Sequence, residues 1–291
     1  MSSGRILKGI GGFYYIEGEH GLVECRARGS LRKKGLKPAV GDIARYTEHS
    51  QGYGSLDAIE ERKNYLIRPP VANIDRMFIV MAAARPEPVL LLIDKISAVC
   101  VKNQMEPCVI INKCDLAKSA DLREIYESAG FPTLSVSAET GEGLDRIPTL
   151  IEGKICAFCG NSGVGKSSIV NAVTGRHLFE TGEVGRTERG RHTTRHVELV
   201  PACGGYIADT PGFSDLDFAR FRMLEQEELD SLFPEIGAHK EECRYTGCNH
   251  IGVDECAVYE AVRSGEIPKS RYESYCAIYS EIGADKPYGK R

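Results

Sequence analysis

The stretch that most constrains this chain is C-G-N-S-G-V-G-K-S-S, Cys159 to Ser168. Gly160 is followed by four residues and then by Gly165-Lys166-Ser167, the spacing of a loop that wraps a phosphate. The loop lies between an apolar run, KICAFCG, and a segment of helical character, SSIVNAVTG. A strand, a glycine-rich turn and a helix in that order aim the backbone N–H groups of 162–167 at an anion on a helix N-terminus. Gly160, Asn161, Ser162, Gly163, Val164 and Gly165 form the turn, and Gly163 and Gly165 allow close approach. Lys166 can reach the β- and γ-phosphates, the Ser167 hydroxyl suits Mg²⁺, and Ser168 continues the first helical turn. A merely structural glycine turn leaves Lys166 without a purpose.

Three more short motifs fall at ends of apolar runs. D-T-P-G (209–212) closes GGYIADT, which places Asp209 to hold Mg²⁺ through water and the Gly212 N–H to meet a γ-phosphate. N-K-C-D (112–115) closes PCVIINK. There Asp115 can accept from guanine N1–H and the exocyclic amine, a pattern adenine does not offer. Asn112 can bridge base edge and loop, and the Lys113 stem can lie on the base face. Ser137-Ala138, after TLSVS, offers a backbone N–H to guanine O6. Each motif alone is weak, since Asn, Asp and Gly are ordinary turn residues. Together they imply GTP rather than ATP.

The order is unusual. Ras-like chains run phosphate loop, DxxG, NKxD, SA, whereas this one runs NKxD, SA, phosphate loop, DxxG. Cutting after the DxxG unit and joining the old ends gives this order without moving any group, provided that all four lie at carboxyl ends of strands in one sheet. The expected fold is therefore a multidomain α/β protein: a circularly permuted P-loop GTPase domain at 68–218, built on a doubly wound sheet, between two smaller domains. In this order DTPGF leads straight into the C-terminal part, so nucleotide state is expected to bias that part's position.

Residues 1–67 read as all-β. GGFYYIEG, LVECRARG, DIARYTE and SLDAIEER are short β-rich segments parted by glycine turns, so about five strands and an OB-type barrel are expected, with an SH3-like barrel as the alternative. RPPVANIDR breaks the pattern as a boundary. The whole chain carries a net charge of −4, but RARGSLRKKGLK (26–37) holds six basic residues and no acid. That segment is either a solvated loop or a contact for RNA phosphates. Residues 219–291 turn helical, with MLEQEELDSLF, AVYEAVRSGEI and SRYESYCAIYSEIG at helical spacing.

The eleven cysteines are scattered through apolar runs, which argues against a disulfide framework and for small core residues in a reducing compartment. One cluster differs. Cys243-x₄-Cys248-x-His250-x₅-Cys256 offers three thiolates and an imidazole within fourteen residues, a closed tetrahedral set for one structural Zn²⁺. The longest apolar runs are far too short to span a membrane, and MSSGRILKG has no apolar signal core, so a cytoplasmic protein is expected.

The loop FETGEVGRTERGRHTTR (179–195) falls where switch I belongs and is expected to be disordered without a partner. Thr194 is the candidate switch threonine for Mg²⁺, with Thr193 as the neighbouring alternative. Phe213 occupies the place where Ras-like enzymes carry a water-orienting Gln. His192 is a candidate for that task, and slow intrinsic hydrolysis raised by a partner follows.

With these motifs in place, the chain resembles the ribosome small-subunit-dependent GTPase A (RsgA) family over essentially its whole length. The resemblance rests on RPPVANID, NKCDL, SAETGEGL, GNSGVGKSS, RGRHTT, DTPGF and the Cys/His cluster. It implies an OB-fold at 1–67, a permuted GTPase domain, and a zinc-binding helical domain at 219–291. It also implies GTP hydrolysis stimulated by the 30S subunit during late maturation, with His192 as the catalytic position beside Lys166 and Thr194. The partners implied are the 30S subunit and its rRNA, with no DNA or membrane, and a monomer is expected. Two rivals stand beside this reading: a non-catalytic RNA-binding scaffold with GTP as structural ligand, which Phe213 favours, and a P-loop ATPase or kinase, which NKCD with Ser137-Ala138 disfavours.

Overall fold

The computed structural model describes residues 2–29, 31, 36–50, 52–67, 69–176, 197–209, 224–252 and 255–284. Five strands close a barrel at the N-terminus: β1 (Ser2–Ile10), β2 (Phe13–Gly18), β3 (Gly21–Ala27), β4 (Ile43–Ser50) and β5 (Tyr53–Ile59). Their order is β1-β2-β3-β5-β4, with β4 returning to β1 and β3 parallel to β5. That closed 1-2-3-5-4 path decides for the OB-type barrel over the SH3-like alternative. Inward positions alternate as a half-buried strand requires: Ile16 on β2, Val23 and Cys25 on β3, Ala44 and Tyr46 on β4. Sequence patterning did not single out β1, because Ile6 is its one fully buried side chain.

The stretch around Pro69-Pro70 is not a plain break. β6 (Tyr65–Ile67) and β7 (Pro70–Ala72) form a two-stranded hairpin in which Ile67 pairs with Pro70. Pro70 is tolerated because it is the first residue of its strand. Leu66, Val71 and Ile74 join the hydrophobic cluster beneath the following sheet, so the connection is packed rather than loose.

The central sheet runs β10 (Thr133–Ser135), β9 (Glu106–Asn112), β8 (Arg76–Ala82), β11 (Ile155–Cys159), β13 (Gly205–Asp209) and β12 (Glu198–Ala202). The first five are mutually parallel, and β12 is antiparallel at the edge. Both faces are covered. Met77, Ile79 and Met81 of β8 face one cluster with α1 (Leu90–Lys102) and α2 (Ala120–Ser128). Phe78, Val80 and Ala82 face the other, with α3 (Ile147–Ile151) and α4 (Lys166–Thr174). All seven residues of β8 are buried, as expected of a central parallel strand. Read from β12, the strands follow the spatial order 2-3-1-4-5-6 of an unpermuted chain, and the new termini fall between its third and fourth strands.

The helical C-terminal region packs on α1. MLEQEELDSLF, read as helical, contains a 3₁₀ run over Gln226–Leu232 that ends at Phe233, which leaves helical backbone ahead of Pro234. It continues into α5 (Pro234–Gly237), α6 (Ala257–Ser264) and α7 (Lys269–Ala284). Ala98 of α1 belongs to this region's core. Arg271 is fully buried there, donating to Asp94 of α1 at 2.6 Å and to Glu235 of α5 at 2.7 Å. Lys95–Glu281 and Lys102–Glu228 pairs flank it.

Candidate nucleotide site and Cys/His cluster

The phosphate loop links β11 to α4, and two of its glycines are required by contact as well as by conformation. Gly160 has φ +137, and a Cβ there would lie 2.0 Å from the Val80 carbonyl oxygen; Gly165 has φ +96, and a Cβ would lie 2.2 Å from Asn112 Nδ2. The loop is thereby pressed against β8 and against the Asn of NKCD. Lys166 Nζ donates to the carbonyls of Gly160 and Asn161, both at 2.7 Å, which holds its ammonium over the turn. Ser167 and Ser168 follow in the first turn of α4, whose N–H groups point into the loop.

The NKCD residues tie three loops together. Asn112 is nearly buried; its Nδ2 donates to Val164 O at 2.8 Å, and its Oδ1 accepts from the Ala138 N–H at 3.0 Å. Lys113, in left-handed backbone at φ 65, donates from Nζ to Gly163 O at 2.8 Å and to Arg85 O. The Ser137 hydroxyl donates to Asp115 Oδ1 at 2.6 Å, which orients the carboxylate. Sequence reasoning gave Ser137 only a neighbour's part; its hydroxyl as the orienter of Asp115 was missed, as was the Arg85 carbonyl. Of the Ser137-Ala138 pair expected to offer a backbone N–H to guanine O6, the Ser137 N–H donates to Glu142 O at 2.9 Å and the Ala138 N–H to Asn112 Oδ1 at 3.0 Å.

Asp209 ends β13, next to β11 and the phosphate loop. Burial raises its pKa, and the facing Glu198 carboxylate adds to the shift. A carboxylate short of solvation and facing a like charge gains from a cation. Mg²⁺ fits that demand, with Ser167 on the neighbouring loop as a second oxygen donor. His192, Thr193, Thr194, Gly212 and Phe213 lie outside the described residues.

The Cys/His cluster is assembled. One ligand-type atom from each of Cys243, Cys248, His250 and Cys256 lies within 4.8 Å of all the others. Sγ–Sγ separations are 3.8 Å (Cys243–Cys256) and 3.9 Å (Cys248–Cys256), and His250 Nδ1 is 3.5 Å from the sulfurs of Cys243 and Cys256. A tetrahedron with zinc–sulfur bonds of about 2.3 Å and zinc–nitrogen bonds of about 2.0–2.1 Å has edges of about 3.8 and 3.6 Å. The residues therefore fit Zn²⁺ in size as well as in chemistry. Tyr272 and Tyr275, on one face of α7, donate their hydroxyls to the carbonyls of His250 and Asn249 at 2.7 and 3.0 Å, which holds the ligand loop to the helix. Burial lowers the His250 pKa and pushes the Cys256 thiol up to about 11, so a metal must displace the thiol proton.

Comparisons with known proteins agree with this geometry. The RsgA N-terminal domain model matches residues 3–56 and the RsgA GTPase model residues 59–219. The chain is 43% identical over 284 residues to the small ribosomal subunit biogenesis GTPase RsgA of Caldanaerobacter subterraneus subsp. tengcongensis, covering 96% of this chain and 95% of that one. Identity to the protein of the same name in Geobacillus kaustophilus is 39%, over 99% of both. Among solved structures, YloQ, described as a circularly permuted GTPase, superposes with a TM-score of 0.83 at 34% identity, over 99% of this chain and 97% of that one. YjeQ from Thermotoga maritima gives 0.81 at 35%, over 100% and 99%. A sheet wound in GTPase order by a chain connected in another order thus has full-length counterparts, and the chain belongs to the RsgA family of GTPases, enzymes that hydrolyse GTP.

Proposed function

We propose that this GTPase acts in late maturation of the small ribosomal subunit, binding the 30S particle and its rRNA and hydrolysing GTP to time its own release. The observation that carries the guanine reading is the Ser137–Asp115 hydrogen bond, set where Asn112 joins the phosphate loop to the Ala138 turn. The relatives' names, small ribosomal subunit biogenesis GTPase, supply the partner. Asp115 accepts from the base, the Lys113 stem lies on its face, Asn112, Ser137 and Ala138 set the loops around it, and Gly160 to Ser168 hold the phosphates. Lys166 stabilises charge on the β- and γ-phosphates, with no proton to move. Ser167, Asp209 and Thr194 hold Mg²⁺, which neutralises charge between those phosphates when bound. Gly212 meets the γ-phosphate, and His192 orients the attacking water in place of the absent Gln. Cys243, Cys248, His250 and Cys256 hold one Zn²⁺ that staples the C-terminal region.

The barrel and the basic segment 26–37 are the rRNA-facing parts. No described helix is long and apolar enough to cross a membrane. Action in the cytoplasm, as a monomer, is part of this reading. The test is GTP turnover by the purified protein alone, with 30S subunits and with 50S subunits, for the parent and for His192→Ala. Stimulation by 30S alone, lost in His192→Ala with binding kept, is the expected result. Equal slow turnover in all three would return the scaffold reading.

A further inference from the structure

The barrel and the central sheet are joined by a ladder one residue pair long. Lys8 of β1 stands opposite Glu198 of β12, and Lys8 Nζ lies 2.6 Å from Glu198 Oε2. Glu198 in turn stands opposite Asp209 of β13. Directly opposed residues on antiparallel strands put their side chains on the same face, with Cβ atoms about 4.5–5.5 Å apart. Lys8, Glu198 and Asp209 therefore form one row across three strands from two parts of the chain. Beside it, Tyr206 donates to Glu17, Arg5 lies over the Tyr206 ring at 5.3 Å, and Leu7 and Val40 of the barrel pack into the cluster under the sheet.

An exposed ion pair usually contributes little to stability. This one differs in where its acid stands. Glu198 faces the carboxylate that ends β13 beside the phosphate loop, so its charge falls within the field of any cation held there. Paired with Lys8 it is compensated; unpaired it adds a full negative charge. We infer that Lys8 and Glu198 are positioning residues for Asp209, and that the seating of the barrel on β12 thereby sets how tightly the nucleotide's cation is held. The inference rests on the reading of Asp209 as the Mg²⁺-side carboxylate. It gives the barrel a part in the nucleotide cycle: a partner that lifts Lys8 from Glu198 strengthens the grip on Mg²⁺, and reseating relaxes it.

The two ends of the pair act on the cation with opposite sign, which a purely structural contact cannot do. The test titrates Mg²⁺ into the full-length protein with a fluorescent GDP analogue and reads the Mg²⁺ concentration for half-maximal nucleotide retention. Lys8→Met exposes the Glu198 charge and lowers that concentration about two- to fivefold, the size left after solvent screens a partly exposed charge. Glu198→Gln raises it by a similar factor. The double variant returns to within about twofold of the parent, because the charge that Lys8 compensates is gone. Added salt shrinks both single shifts. Shifts of the same sign, or none in either single variant, overturn the inference while Asp209→Asn still raises the half-point. If Asp209→Asn leaves it unmoved, the reading of Asp209 falls and takes the relay with it.

Discussion

Arg271 offers the sharpest test of how the C-terminal region is held to the GTPase sheet. Its guanidinium is 0% exposed and spans Asp94 of α1 at 2.6 Å and Glu235 of α5 at 2.7 Å. At an effective dielectric of about 20, each pair with charge centres about 4 Å apart gives about 4 kcal/mol of gross attraction, most of it offset by desolvation. Arg271→Met removes the cation and leaves two carboxylates facing each other out of water. The expected cost is about 3–5 kcal/mol at neutral pH, the range for breaking one side of a buried pair. Such a loss lowers the melting temperature of the affected unit by about 6 °C or more.

The pH dependence has a definite sign. Burial already raises the Asp94 pKa, against the pull of Arg271. A carboxyl whose folded pKa is raised contributes stability that is full below its unfolded pKa and is lost as pH rises through the folded value. Removing Arg271 raises that folded value further, so the variant loses least near pH 5 and most near pH 8. Differential scanning calorimetry of the zinc-loaded protein across that range separates the domain transitions and reads the cost. Adding Asp94→Asn and Glu235→Gln to Arg271→Met removes the stranded charges and recovers more than half of the loss. A cost under about 1 kcal/mol at pH 7.5, or one that grows as pH falls, refutes the reasoning.

Ser137→Ala frees the Asp115 carboxylate to rotate, and a hydrogen bond to a charged group is worth about 1.5–3 kcal/mol, so GDP affinity falls about tenfold or more by equilibrium fluorescence titration. Gly160→Ala drives a Cβ into the Val80 carbonyl at a backbone angle that disfavours it, and urea unfolding shows a loss of about 2 kcal/mol or more. Chelation of Zn²⁺ removes the staple of the Cys/His cluster, so the thermal transition of the C-terminal region falls or disappears while GDP binding by the sheet persists. Tyr272→Phe, which loses the hydroxyl bond to the His250 carbonyl, weakens zinc retention against a chelator several-fold and leaves nucleotide affinity unchanged.

How much of this was legible in the sequence depends on where each signal lies. The phosphate loop, NKCD and the Cys/His cluster are local in sequence, and their spacing carries the chemistry. The circular permutation was legible in the motif order, because the four nucleotide motifs had to meet at the carboxyl ends of strands in one sheet. Contacts between distant parts were not legible. Arg271 and Asp94 are 177 positions apart and look like ordinary charged residues on amphipathic helices. Lys8 and Glu198, 190 positions apart, look the same. β1 was hidden because a strand with one fully buried side chain has little alternation to read. The β6–β7 hairpin was hidden because paired prolines signal a break unless the partner strand is known.

If the chain has reordered its elements and kept a guanine-reading site, base specificity will show it. Xanthine carries a carbonyl where guanine carries the amine that Asp115 accepts, so an amide at 115 should prefer it. The measurement is the affinity of the parent and of Asp115→Asn for GDP, XDP and ADP. The parent should bind GDP far above the other two, and Asp115→Asn should lose GDP and gain XDP. A parent that binds ADP as well as GDP, or an Asp115→Asn variant with unchanged preference, would contradict that reading.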